Sequence, residues 1–87
     1  MSIGSLRAEI DEVDDHILAL LRERVTIAMR IAKVKRKSGL SIRDRKREQE
    51  ILDKIVSRAG REGLNPEQTR RVFKEIIELS VEAEARP

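Results

Sequence analysis

The 87-residue chain has no cysteine, tyrosine or tryptophan, and only one phenylalanine and one histidine. Without cysteine there is no disulfide framework, no zinc ribbon and no thiol nucleophile. His16, alone of its kind, reads as a surface residue of a first helix. With 1% aromatic residues, aromatic packing cannot hold a core. No apolar run approaches the ~18 residues of a membrane span. The opening Met1-Ser2-Ile3-Gly4-Ser5, followed by acidic residues, lacks the charged-then-apolar layout of a signal peptide. A cytoplasmic protein that does not engage membranes is expected. The length allows one domain, and a monomer of this size buries only ~60 to 65% of its unfolded surface, so something must enlarge the core.

Charge is abundant, at 40% of residues, and unevenly placed. The overall balance is +3, yet residues 22–47 hold eleven cations against two acids, while residues 1–21 carry −4. A basic block of this kind attracts something anionic or forms a solvated helix face.

Apolar residues recur at Leu6, Ile10, Val13, Ile17, Leu20, Ile27, Ile31 and Val34 in steps of three and four once position 24 is included. That is a heptad seam with Arg24 inside it. A parallel stripe, Leu18, Leu21, Val25, Ala28 and Ala32, widens the buried face toward a bundle and runs on to Lys35. The spacing predicts an all-α fold of three helices, at about 5–37, 44–60 and 65–85. The first starts at Ser5 as N-cap with acidic residues in its opening turns, and ends at Ser38-Gly39. The second opens at Asp44, buries Ile51, Leu52, Ile55, Val56 and Ala59, and is broken by Gly60 and Gly63. The third has Asn65 as cap, Pro66 at its first position and Gln68 three residues after the cap, with Val72, Phe73, Ile76, Ile77, Val81 and Ala83 inward.

A helix from Leu6 to about Lys37 is roughly 48 Å long, against a radius of gyration of ~12 Å for a compact domain of this size. It must project beyond its own subunit with an apolar seam exposed. A homodimer that buries this helix against its mate supplies the missing core.

Several polar residues interrupt the apolar faces. Arg24 lies among Leu20, Leu21, Ile27 and Ala28, and Lys35 follows three turns later on nearly the same face, about 16 Å away. Buried cations of this kind pair with an internal carboxylate, snorkel outward, or await an anionic ligand. On the second helix Asp44, Glu48, Ile51 and Ile55 share a face, with Arg47 beside them; on the third, Ile76, Ser80 and Glu84 form a stripe. All three helices thus carry polar side chains inward.

The stretches Leu6–Asp14, Leu20–Arg24, Ile31–Lys35, Arg43–Glu48 and Phe73–Ser80 together resemble the all-α chorismate mutases of the AroQ class, over about Leu6 to Glu84. The resemblance implies a domain-exchanged dimer with two active sites, converting chorismate to prephenate on the route to phenylalanine and tyrosine. It implies that Arg7 of the partner subunit and Arg24 hold the two substrate carboxylates, and that Lys35 contacts a carboxylate and the ether oxygen. Glu48 and the Asp44 backbone region would hold the ring hydroxyl, with Arg47 and Ser80 completing the pocket. The rearrangement is unimolecular and needs no metal and no cofactor. Arg7 and Arg24 lie roughly 25 Å apart along one helix, so a small ligand that touches both must take Arg7 from the mate.

Glu84 stands where the commoner family pattern has a glutamine. An ionised carboxylate is only an acceptor and repels a developing negative charge, so Glu84 serves as a donor only if protonated. Burial favours that state and Lys35 opposes it; the alternative is a Glu84 that points to solvent. Two other functions are compatible with the sequence. Isochorismate pyruvate lyase shares the implied scaffold and pocket. Nucleic-acid binding by residues 33–47, eight of them basic, is disfavoured by the lack of stacking aromatics and of short helix-turn-helix spacing.

Overall fold

The computed structural model describes residues 1–86. It contains three α-helices, α1 (Ile3–Lys37), α2 (Arg45–Arg61) and α3 (Pro66–Glu84), and no strand among the described residues. None of the helices is long and apolar enough to cross a membrane.

The helix ends follow from local hydrogen bonding. α1 starts earlier than expected, because Ser2 and not Ser5 is its N-cap. Ser2 Oγ accepts from the Ser5 N–H at 3.1 Å, and Ser5 Oγ accepts from the Ser2 N–H at 3.0 Å, a reciprocal capping box in which Ser5 takes the third position. With the start moved back, the acidic residues fall outside the first turn. At the other end Gly39 adopts a φ of 69°, which lets the Leu40 N–H reach the Lys35 carbonyl at 2.9 Å and close the helix. The same motif ends α2 at Gly63, with a φ of 75° and the Leu64 N–H on the Ala59 carbonyl at 2.9 Å. Gly60, expected from sequence to help break α2, instead stays helical, since only one residue of the pair is needed in the left-handed region. Asp44 and Asn65 cap α2 and α3 by accepting from Arg47 N and Gln68 N at 3.0 and 2.8 Å.

α3 is the central element, packed against α1 on one side and α2 on the other, while α1 and α2 make no direct helix pairing. The core is small. It comprises Ala28 and Ala32 of α1, Leu52 and Ala59 of α2, and Ile77, Ser80 and Ala83 of α3. Small residues dominate because they let helix backbones approach closely. Val72, expected inward, is exposed, which leaves Phe73 and Ile76 half-buried on either side of the packed face.

Only the C-terminal half of α1, from Leu21 onward, takes part. The seam from Leu6 to Leu20 stays in contact with solvent, with Ile10 at 59% and Leu20 at 62% exposure against 1% for Ala32. The chain is accordingly elongated, 55 × 26 × 14 Å with a radius of gyration of 16.0 Å, against ~12 Å for a compact chain of this length.

Candidate active site

The three helices converge on a cleft of about 250 Å³ at the C-terminal end of α1. α1 contributes Arg24, Ala28, Ile31 and Lys35, side chains one turn apart along a single face. The connection from α1 to α2 contributes Ile42 and Asp44, the first turns of α2 contribute Arg47, Glu48 and Ile51, and α3 contributes Ile77, Ser80, Val81 and Glu84. The floor is apolar and the polar groups stand around it, the arrangement of a small-molecule site.

Seven of the eight residues singled out from sequence lie here: Arg24, Lys35, Asp44, Arg47, Glu48, Ser80 and Glu84. Arg7 does not. It sits on the exposed N-terminal part of α1, 17 residues before Arg24, and the fold of one chain does not bring it to the cleft.

Each polar group has a definite state. Arg24 is half-buried and its Nη1 donates to Ser80 Oγ at 2.5 Å. Ser80 is 4% exposed, small enough to let α1 approach α3 and polar enough to orient the guanidinium. Lys35 Nζ donates to the Ile42 carbonyl at 2.9 Å, which ties the loop after α1 to the rim of the cleft. Among the described residues neither Arg24 nor Lys35 has a carboxylate oxygen within ion-pair distance. The open alternative of internal pairing is thereby excluded. Two cations thus share one concave surface without an ion-pair partner in this chain, an arrangement that favours an anion.

Glu48 faces the cleft but is already engaged. Its Oε1 lies 2.9 Å from Arg43 Nη2 and 3.7 Å from Arg45 Nη1, so the carboxylate already accepts from one arginine and lies near a second. Asp44 accepts from the Arg47 backbone, so its side chain is structural and only its rim position touches the site. The Arg47 side chain is 66% exposed and leans toward Glu50 at 3.8 Å.

Glu84 is half-buried in the cleft, not directed to solvent. Desolvation raises its carboxyl pKa, and the neighbouring Glu48 charge adds to the rise; Lys35, Arg24 and Arg36 pull the other way. Burial wins, so the proton is held to a higher pH than in an ordinary glutamate.

Two arginines at the edge of the site were given no role from the sequence. Arg43 bridges α2 and α3 by pairing with Glu48 and with Glu78, which holds the Glu78 carboxyl below the usual carboxylate range. Its Nε is buried without an acceptor among the described residues. Arg36 donates to the backbone carbonyls of Glu84 and Arg86, the latter at 3.2 Å. A cation directly before the Asp44 cap was the available signal for Arg43. Arg36 offered none, because its acceptors are main-chain atoms 48 and 50 residues away.

Comparison with known proteins bears on the same residues. Residues 6–85 match the sequence profile of chorismate mutase type II. The chain is 32% identical over 76 residues to a chorismate mutase of Methanocaldococcus jannaschii, covering 87% of this chain and 77% of that protein. It is 39% identical over 86 residues to the bifunctional chorismate mutase/prephenate dehydratase of Aquifex aeolicus, covering 94% of this chain but 24% of that longer protein. The chain therefore spans about a quarter of the bifunctional relatives it matches. A solved chorismate mutase (form II) of Thermus thermophilus superposes with a TM-score of 0.91 at 36% identity, covering 97% of this chain and 94% of that one. With the profile spanning nearly every described residue and the fold shared from end to end, this chain belongs to the chorismate mutase type II family.

Proposed function

We propose that the chain catalyses the Claisen rearrangement of chorismate to prephenate, as a homodimer whose two sites each borrow Arg7 from the partner. The observation that carries the reading is the pair of uncompensated cations, Arg24 and Lys35, on one wall of a small cleft with Ser80 and Glu84 opposite. Chorismate offers two carboxylates and a ring hydroxyl, which match two or more cations and an acceptor at Glu48.

The chemistry breaks an ether C–O bond while a C–C bond forms within the same molecule. Catalysis has two parts. Clamping both carboxylates favours the compact conformer in which the carbons to be joined approach one another. Fixed donors then stabilise the negative charge growing on the ether oxygen. Lys35 is the cationic donor and Glu84, when protonated, the neutral one. A bound dianion beside Glu84 adds negative charge and offsets Lys35 and Arg24, which raises the Glu84 pKa further. Asp44 fixes the first turn of α2, and Arg47 at the rim screens the substrate from water.

The dimer is supported by the ten large apolar side chains from Leu6 to Val34 that one chain leaves exposed. Covering their remaining half of surface is worth on the order of 10 kcal/mol per subunit, comparable to the whole stability of a small domain. A cytoplasmic location belongs to the same proposal, because a dianionic substrate does not cross membranes unaided.

The test is a chorismate-disappearance assay, with prephenate and pyruvate quantified separately, on protein whose dimer mass has been verified. Prephenate formation by the wild type and a loss of ~10²–10³ in kcat/KM for Arg24→Ala support the reading. Pyruvate as the product, or full activity in Arg24→Ala, contradicts it.

A further inference from the structure

Glu84 occupies the last turn of α3, where the carbonyls have no intrahelical donors and the backbone tends to fray. α3 has no basic residue in its own last turn to meet the negative end of its dipole. α1 supplies one instead. Arg36 Nη2 donates to the carbonyl of Glu84 itself and, at 3.2 Å, to that of Arg86. The next-door residue Lys35 reaches the Ile42 carbonyl at 2.9 Å, so the last turn of α1 fastens the α1–α2 loop with one side chain and the end of α3 with the other. The Glu84 backbone is thereby gripped from outside the cleft while its carboxyl lies inside it.

We infer that Arg36 is a positioning residue, which holds the Glu84 carboxyl in the cleft by clamping the C-terminal carbonyls of α3. It touches neither substrate nor carboxyl group, and its effect on the reaction passes through Glu84. The inference rests on the role proposed for Glu84. The groups facing that carboxyl are Lys35, Arg24 and Arg36 on α1 and Glu48 on α2, so removal of Arg36 has two separable consequences. Loss of its charge alone would raise the Glu84 pKa, whereas release of the side chain into water would lower it toward that of an ordinary glutamate.

The experiment is a double-mutant cycle on the full-length dimer with wild type, Arg36→Ala, Glu84→Ala and the double variant, together with NMR titration of the Glu84 carboxyl in wild type and Arg36→Ala. Arg36→Ala is expected to lower kcat about tenfold, within the range that small misplacements of catalytic groups produce, with KM changed less than twofold. In the Glu84→Ala background the same substitution costs nothing further. The Glu84 pKa falls in Arg36→Ala. Arg36→Lys, which keeps the charge and disturbs the fold less, lowers kcat in the same direction. Equal losses of kcat in both backgrounds, or a Glu84 pKa that rises or stays in place, overturn the inference. If wild type fails to convert chorismate, the proposed function falls, and the titration alone still decides whether Arg36 holds Glu84.

Discussion

The two ends of α1 have similar apolar content and opposite fates. Toward the C-terminus, Ala28 and Ala32 are buried against α3, and the long side chains among them, Arg24 and Lys35, turn into the cleft. Toward the N-terminus, Leu6, Ile10, Val13, Ile17 and Leu20 repeat at heptad spacing with nothing over them. The first region forms a pocket because its core residues are small: with only methyl groups between the backbones, the large polar side chains flanking them converge on one space. The second is built from branched aliphatic residues that call for a partner of equal length. In the proposed reading one end serves the chemistry and the other the assembly. Arg7 alone joins the two roles, since it belongs to the exposed end while its proposed work lies at a cleft.

The largest effect is expected from charging the exposed end. Ile17→Glu places a carboxylate in the middle of the seam, and it should abolish the dimer and lower activity by at least ~10³, because each cleft then loses Arg7 as well as its support. Analytical ultracentrifugation alongside the mutase assay checks this; an active monomer would separate the two regions completely. Arg24→Ala is the complementary change, with its ~10²–10³ loss of kcat/KM accompanied by an unchanged dimer mass. A variant that lost both would show that the cleft and the seam are not the independent units described.

A smaller and more selective effect concerns Glu84. Its raised pKa means that the protonated, donating form persists to higher pH than in an ordinary glutamate, and it disappears as pH rises through that value. Activity should therefore fall with rising pH, and Glu84→Gln, whose amide donates at every pH, should flatten the profile while keeping activity within about tenfold of the wild-type maximum. The kcat–pH profile of the two proteins is the measurement. A flat wild-type profile, with Glu84→Gln indistinguishable from it, would remove the protonated-donor role.

Much of this contrast was legible in the sequence. The cations at positions 24 and 35 share a face because eleven residues make three helical turns, and side chains so long on a buried face have few destinations. The seam announced its own exposure through its length. Sequence did not reveal which of the two parallel stripes on α1 would meet α3. That choice follows from the closeness of approach that Ala28, Ala32, Ser80 and Ala83 permit, a property of three helices jointly. Nor did it identify Ser2, in place of Ser5, as the cap, since either hydroxyl can cap and only the backbone shows that Ser5 holds the third helical position. The Ile42 carbonyl and the carbonyls held by Arg36 are backbone atoms, and no side-chain pattern records them.

The most direct test of the central claim, that each cleft is completed across the dimer, is subunit complementation. Arg7→Ala and Arg24→Ala are prepared separately, each with little activity, then mixed in equal amounts, unfolded and refolded together. Half of the resulting dimers are mixed, and each mixed dimer has one site with both arginines intact and one with neither. Activity should recover to about a quarter of the wild-type value. If the mixture remains no more active than its two components, Arg7 does not act at the partner's cleft and the account fails.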